Sequence, residues 1–78
     1  MAHFTETTTF GPYNNQDSAK TALLVVDAGT GSVSLEVLAD EEWIVQELFE
    51  ADTVKRVFVG GGTWRCVVTG DAEFTWVY

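Results

Sequence analysis

The chain has 78 residues, with 12 Asp and Glu against 4 Lys and Arg, a net charge of −8, and single copies of Cys, His and Pro. One domain fits this length, and a core that buries only about 60% of the unfolded surface needs support from outside the chain. A disulfide within the chain and a Cys/His zinc site are excluded, since Cys66 and His3 stand alone and structural zinc takes about four ligands. Oligomerisation is the remaining staple.

The negative charge opposes nucleic-acid phosphates and anionic membrane surfaces, so neither is an expected partner. Met1-Ala2-His3-Phe4-Thr5-Glu6 has neither the basic start nor the apolar stretch of a secretory signal. Apolar runs fall far short of the roughly 18 residues a membrane helix requires. With 46% hydrophobic and 21% charged residues, the composition is that of a folded domain. A soluble, acidic protein made in a reducing cytoplasm is the expectation.

Val, Thr and Ile make up 22 of the 78 residues, and β-branched side chains favour a pleated surface over a helix. Turn-forming breaks at Gly11-Pro12-Tyr13-Asn14-Asn15, Ala28-Gly29-Thr30-Gly31, Gly60-Gly61-Gly62 and Gly70-Asp71 separate runs of strand length. Residues 1–19, rich in Thr, Asn and Gln, read as an N-terminal arm or edge strand, with Phe4, Glu6, Thr8 and Phe10 on one face. Residues 20–78 read as the domain proper. Leu23-Leu24-Val25-Val26 suits a strand buried on both faces or in an oligomer. Val33, Leu35 and Val37 alternate inward while Ser32, Ser34 and Glu36 point out. Strands over residues 54–59, 64–69 and 74–78 follow, the last two joined by Gly70-Asp71-Ala72 as a tight hairpin.

Residues 39–52 fit two patterns. As a helix, over about 41–51, Asp40 is the N-cap, Glu41 and Glu42 favour the dipole, and Ile44, Leu48 and Ala51 share a face. As a strand, an acidic turn at residues 40–42 precedes inward Trp43 and Val45 and a bulge near Leu48-Phe49. The strand agrees with its surroundings, and local propensity yields to tertiary context. The fold class expected is all-β, a small antiparallel β-sandwich or jelly-roll-like barrel of six to seven strands.

Chemistry-bearing residues occur singly. His3 lies near the N-terminus without a rigid platform for acid–base work. Cys66 alternates with Arg65 inside an apolar strand, where a structural thiol is inert. Asp40, Glu41, Glu42, Glu47, Glu50 and Asp52 form the densest acidic segment, but not at calcium-loop spacing, and read as a solvated face. Neither glycine turn carries the lysine of a phosphate loop. No catalytic residue, metal ligand or cofactor is expected. The aromatic residues, 13% of the chain, read mainly as core or subunit interface. A carbohydrate platform on Trp43, Trp64 or Trp76 is the competing use. An apolar C-terminal strand ending at Tyr78 calls for a surface that ties it down.

Residues 31–78 resemble small β-sandwich structural proteins of tailed bacteriophages. The resemblance rests on Gly31-Ser32-Val33-Ser34-Leu35-Glu36-Val37, an acidic turn before Trp43, Phe49-Glu50-Ala51-Asp52 and Val57-Phe58-Val59. Trp64-Arg65-Cys66-Val67-Val68-Thr69-Gly70 and the closing strand over residues 72–78 complete it. Glu41-Glu42 stands where such proteins usually carry glycines. The resemblance implies a virion component made in the host cytoplasm: a capsid decoration (cement) protein, a head-fibre base or a tail-fibre module. It further implies the major capsid protein as partner and a homo-oligomer, a trimer above all, that stabilises the outer capsid. Phe4, Phe10, Leu24, Val26, Trp76 and Tyr78 are the interface residues expected, with residues 3–10 as an arm able to add a strand to a coat-protein sheet. A tail-fibre or carbohydrate-binding β-sandwich is the alternative. An acidic nucleic-acid mimic is weaker, because its charges would have to line one surface.

Overall fold

The structure, a computed structural model, describes residues 2–13, 21–59 and 61–77. The apolar and β-branched runs form eight strands: β1 (Ala2–Phe4), β2 (Thr8–Tyr13), β3 (Thr21–Asp27), β4 (Ser32–Ala39), β5 (Glu42–Phe49), β6 (Thr53–Phe58), β7 (Gly62–Thr69) and β8 (Glu73–Val77). No helix occurs among the described residues.

The strands form two antiparallel sheets, a first with the order β1-β8-β3-β6 and a second with the order β2-β7-β4-β5. Four of the pairings, β1 with β8, β2 with β7, β3 with β6 and β4 with β5, nest inside one another in sequence. The chain is thus one long antiparallel ribbon with its turn at residues 40–41. Rolling that ribbon up adds the contacts of β3 with β8 and β4 with β7. This strand order is the jelly roll, a way for an all-β chain to bury one face of each of two sheets against the other.

Alternation along each strand fills the space between the sheets. Ala22, Leu24 and Val26 of β3, Val33 and Leu35 of β4, Trp64 and Cys66 of β7, and Phe74 and Trp76 of β8 are all buried there. Phe4 and Phe10 pack against this core from the first two strands. Phe4 stacks on Phe74 at 5.1 Å between ring centroids, and Phe10 stacks on Trp76 at 4.7 Å. The Trp76 indole N–H is buried with no hydrogen-bond acceptor among the described residues.

Four sequence expectations change. The N-terminal Phe4-to-Phe10 stretch is not one strand: residues 5–7 break it, sending β1 to the first sheet and β2 to the second, which brings the strand count to eight. Residues 70–72 do not close a hairpin; they carry the chain from the second sheet to the first. Residues 41–51 hold no helix, because Asp40 and Glu41, at φ of 50° and 67°, make a two-residue turn between Ala39 and Glu42. Positive φ at both central residues is the hairpin geometry that matches strand twist. The bulge of β5 falls at Gln46, where the register steps from Leu35↔Glu47 to Glu36↔Val45, not at Leu48-Phe49. That position lets Phe49 face the core beside Val33 and turns Trp43 and Val45 outward, beside Leu38 and Glu36.

Candidate interaction surfaces

Paired residues in adjacent strands point to the same face. The outer face of the second sheet therefore carries Ser34, Glu36 and Leu38 of β4, Arg65 and Val67 of β7, and Trp43, Val45 and Leu48 of β5. Glu36 and Arg65 are directly opposed, and the Arg65 Nη2 lies 2.6 Å from Glu36 Oε1 while Nε donates to the same oxygen at 2.8 Å. Ser34 Oγ donates to the other carboxylate oxygen at 3.0 Å. The Arg65 guanidinium sits 4.3 Å from the centre of the Trp43 ring, within cation–π range. Glu36 is only 8% exposed on an outward face, so the sheet's own side chains cover its charge.

A second surface is the long side formed by edge strands β5 and β6, one from each sheet. Among the described residues, Leu38, Ile44, Val45, Leu48, Val54 and Phe58 are the exposed large apolar side chains; all lie on β5, β6 or the adjoining end of β4. Lys55 Nζ of β6 reaches both carboxylate oxygens of Glu47 on β5 at 2.7 Å, joining the two edges.

At one end of the sandwich, acidic side chains hold loops. Asp71 Oδ1 accepts the Thr30 backbone N–H at 2.8 Å and the Thr30 hydroxyl at 3.0 Å, and these bonds hold its carboxyl below the usual carboxylate range. Asp52 accepts the Ala28 N–H at 3.1 Å. Gly29, at φ +56°, lies so close under Asp71 that a Cβ would sit 2.5 Å from its Oδ1, and a Cβ on Gly31 would overlap the Thr69 carbonyl oxygen. The acidic segment of the sequence is thus divided: residues 40–42 lie at one end of β5 and residues 50–52 at the other, about 25–30 Å apart at strand rise.

The expected interface residues are placed as follows. Leu24, Val26 and Trp76 are in the core of one chain, and Phe4 and Phe10 pack against it; Tyr78 lies outside the described residues. Trp64 and Trp76 are 4% exposed, which leaves Trp43 as the one tryptophan on an outer face. Cys66 is buried, and burial, with the Glu36 charge adding to it, pushes its thiol up to about 12. His3 Nδ1 lies 3.0 Å from Thr75 Oγ1 and Nε2 3.4 Å from Glu73. No pocket and no cluster of metal-ligating side chains occurs among the described residues. The Glu36–Arg65–Trp43 group was not singled out from sequence. Its signal was present as opposite charges at the centres of two otherwise apolar runs. No family model, curated protein or solved structure matches the chain.

Proposed function

We propose that this protein is a non-enzymatic structural component of a bacteriophage virion, a capsid decoration protein that binds the outer capsid as an oligomer. The observation that carries the reading is the division of labour among side chains. Groups able to do chemistry are committed to structure: the Cys66 thiol is buried and held protonated, Glu36 is paired with Arg65, and Asp52 and Asp71 cap loops. The exposed apolar residues, in contrast, gather on one side of the sandwich, the distribution of a surface made for another protein. Jelly rolls serve many functions, capsid domains among them, so the fold agrees with the reading and does not select it. The mechanism is mechanical, a bridge between neighbouring coat subunits that adds contacts to be broken before the shell opens.

Mass spectrometry of purified virions tests the proposal. The chain is expected at a stoichiometric ratio to the coat protein, and its absence from particles overturns the assignment. The glycan-binding alternative now rests on Trp43 alone, the tryptophan on an outer face, stacked against Arg65. Glycan-array binding lost in a folded Trp43→Ala variant would favour it.

A further inference from the structure

The four edge strands are not equivalent. On one side of the sandwich β1 has three residues, and β2 contains Gly11 and Pro12 with a register shift between Phe10 and Tyr13. Short strands, proline and irregular register blunt an edge against pairing. On the other side β5 has eight residues and β6 six, with neither Gly nor Pro. β5 carries Glu42 and Glu47, and β6 carries Lys55 and Arg56. The two strands together are neutral in a chain of net −8, so this side can meet its own copy without the repulsion the rest of the surface imposes. Pairing like with like is disfavoured, since β6 against β6 sets Lys55 and Arg56 against the same cations. Acidic β5 against basic β6 is complementary.

We propose that a second copy of this chain docks on this side about a two-fold axis parallel to the strands, β5 of each copy pairing antiparallel with β6 of the other. Such an axis exchanges the two sheets and preserves strand direction, and β5 and β6 run opposite ways. One contact therefore satisfies both edges and closes, joining the sheets of the two copies into two continuous eight-stranded sheets. The register follows from the Lys55–Glu47 bridge. With the two bridged residues taken to stand at one level of the edge, the axis brings Glu47 opposite Lys55 of the second copy. Counting from that level, with Gln46 as the bulge residue, Leu48 faces Val54, Val45 faces Arg56, Ile44 faces Val57 and Trp43 faces Phe58.

In this register outward residues of β5 meet outward residues of β6, and inward residues meet inward ones. A one-residue slip would break that match at every position. Leu48, Val45, Ile44, Val54 and Phe58, each about half exposed or more in one chain, are brought together by the same register. A three-fold ring has no second edge of this kind to use, so the assembly is a dimer and not the trimer expected from the resemblance. The inference rests on the oligomeric part of the proposed function alone. It stands or falls by solution mass, whatever the virion analysis returns.

Light scattering on the full chain at tens of micromolar is expected to give twice the 8.6 kDa of one chain; a monomer or a trimer overturns the proposal. Two charge reversals test the pairing. Glu47→Lys and Lys55→Glu are each expected to run as monomers at the same concentration, with unchanged far-ultraviolet circular dichroism. Mixed one to one, they restore opposite charges at both contacts and are expected to form a heterodimer. Failure of the mixture to associate overturns the pairing. The register is read by Leu48→Cys/Val54→Cys in one chain: within a chain these residues lie on opposite outer faces, so a reducible dimer band is expected. A band that stays monomeric under oxidation overturns the register.

Discussion

Asp71 shows how much of this small fold depends on single polar contacts. Its carboxylate takes both the N–H and the hydroxyl of Thr30, and so ties the turn between β3 and β4 to that between β7 and β8. These bonds favour the ionised form and lower its folded pKa. A lowered folded pKa means a contribution fully present above the unfolded value near pH 4, and lost as pH falls through the folded value. Thermal melts from pH 7 to pH 3 are expected to show the wild type losing more stability below about pH 4 than Asp71→Asn, which starts lower at pH 7 and has no such charge to lose. Parallel curves would remove Asp71 from the acid response. At the same scale, the buried Trp76 N–H, without an acceptor among the described residues, is a cost the core carries in return for stacking on Phe10.

At the scale of elements, β3, β4, β7 and β8 were legible because apolar residues alternate or run unbroken in them. Their inward sets, such as Val33 and Leu35, are the core. β5 was harder, since Gln46 breaks its alternation. Trp43, Val45 and Leu48 face out although their spacing fits no single strand period. Its turn was harder still: Asp-Gly announces a two-residue hairpin, but here Glu41 occupies the second position at φ 67°, a conformation that disfavours a side chain. The place of Leu24, Val26 and Trp76 in the core of one chain was hard to read for a related reason. Large apolar residues in strands mark both cores and contacts, and only the sheet order tells that Leu24 and Trp76 face inward. If the left-handed conformation of Glu41 costs what such positions usually do, Glu41→Gly raises stability by about 1 kcal/mol. Urea denaturation, with unchanged slope and a higher midpoint, is the expected result. A lower midpoint would mean that Glu41 is held by contacts that outweigh its backbone strain.

For the whole molecule, the same turn has a larger role, because the jelly roll is one ribbon folded at residues 40–41. β4 and β5 are the only consecutive strands that pair in a sheet; every other connection among the eight strands crosses between sheets. Pairing β1 with β8 joins residues as far apart as Ala2 and Trp76, and closing so long a loop has an entropic cost before any contact offsets it. Two-state folding is then expected in the millisecond-to-second range typical of all-β sandwiches, with the β4–β5 hairpin formed first and the outer pairs zipping from it. Stopped-flow fluorescence can follow this, since Trp64 and Trp76 become buried on folding. Glu41→Gly is the decisive variant. If the hairpin is in the transition state, about 1 kcal/mol of added stability appears as a roughly fivefold faster folding rate with unfolding unchanged. The same gain appearing only as slower unfolding would place the nucleus elsewhere, with the wrap-around pairs of β3 with β8 and β4 with β7 as the next place to look.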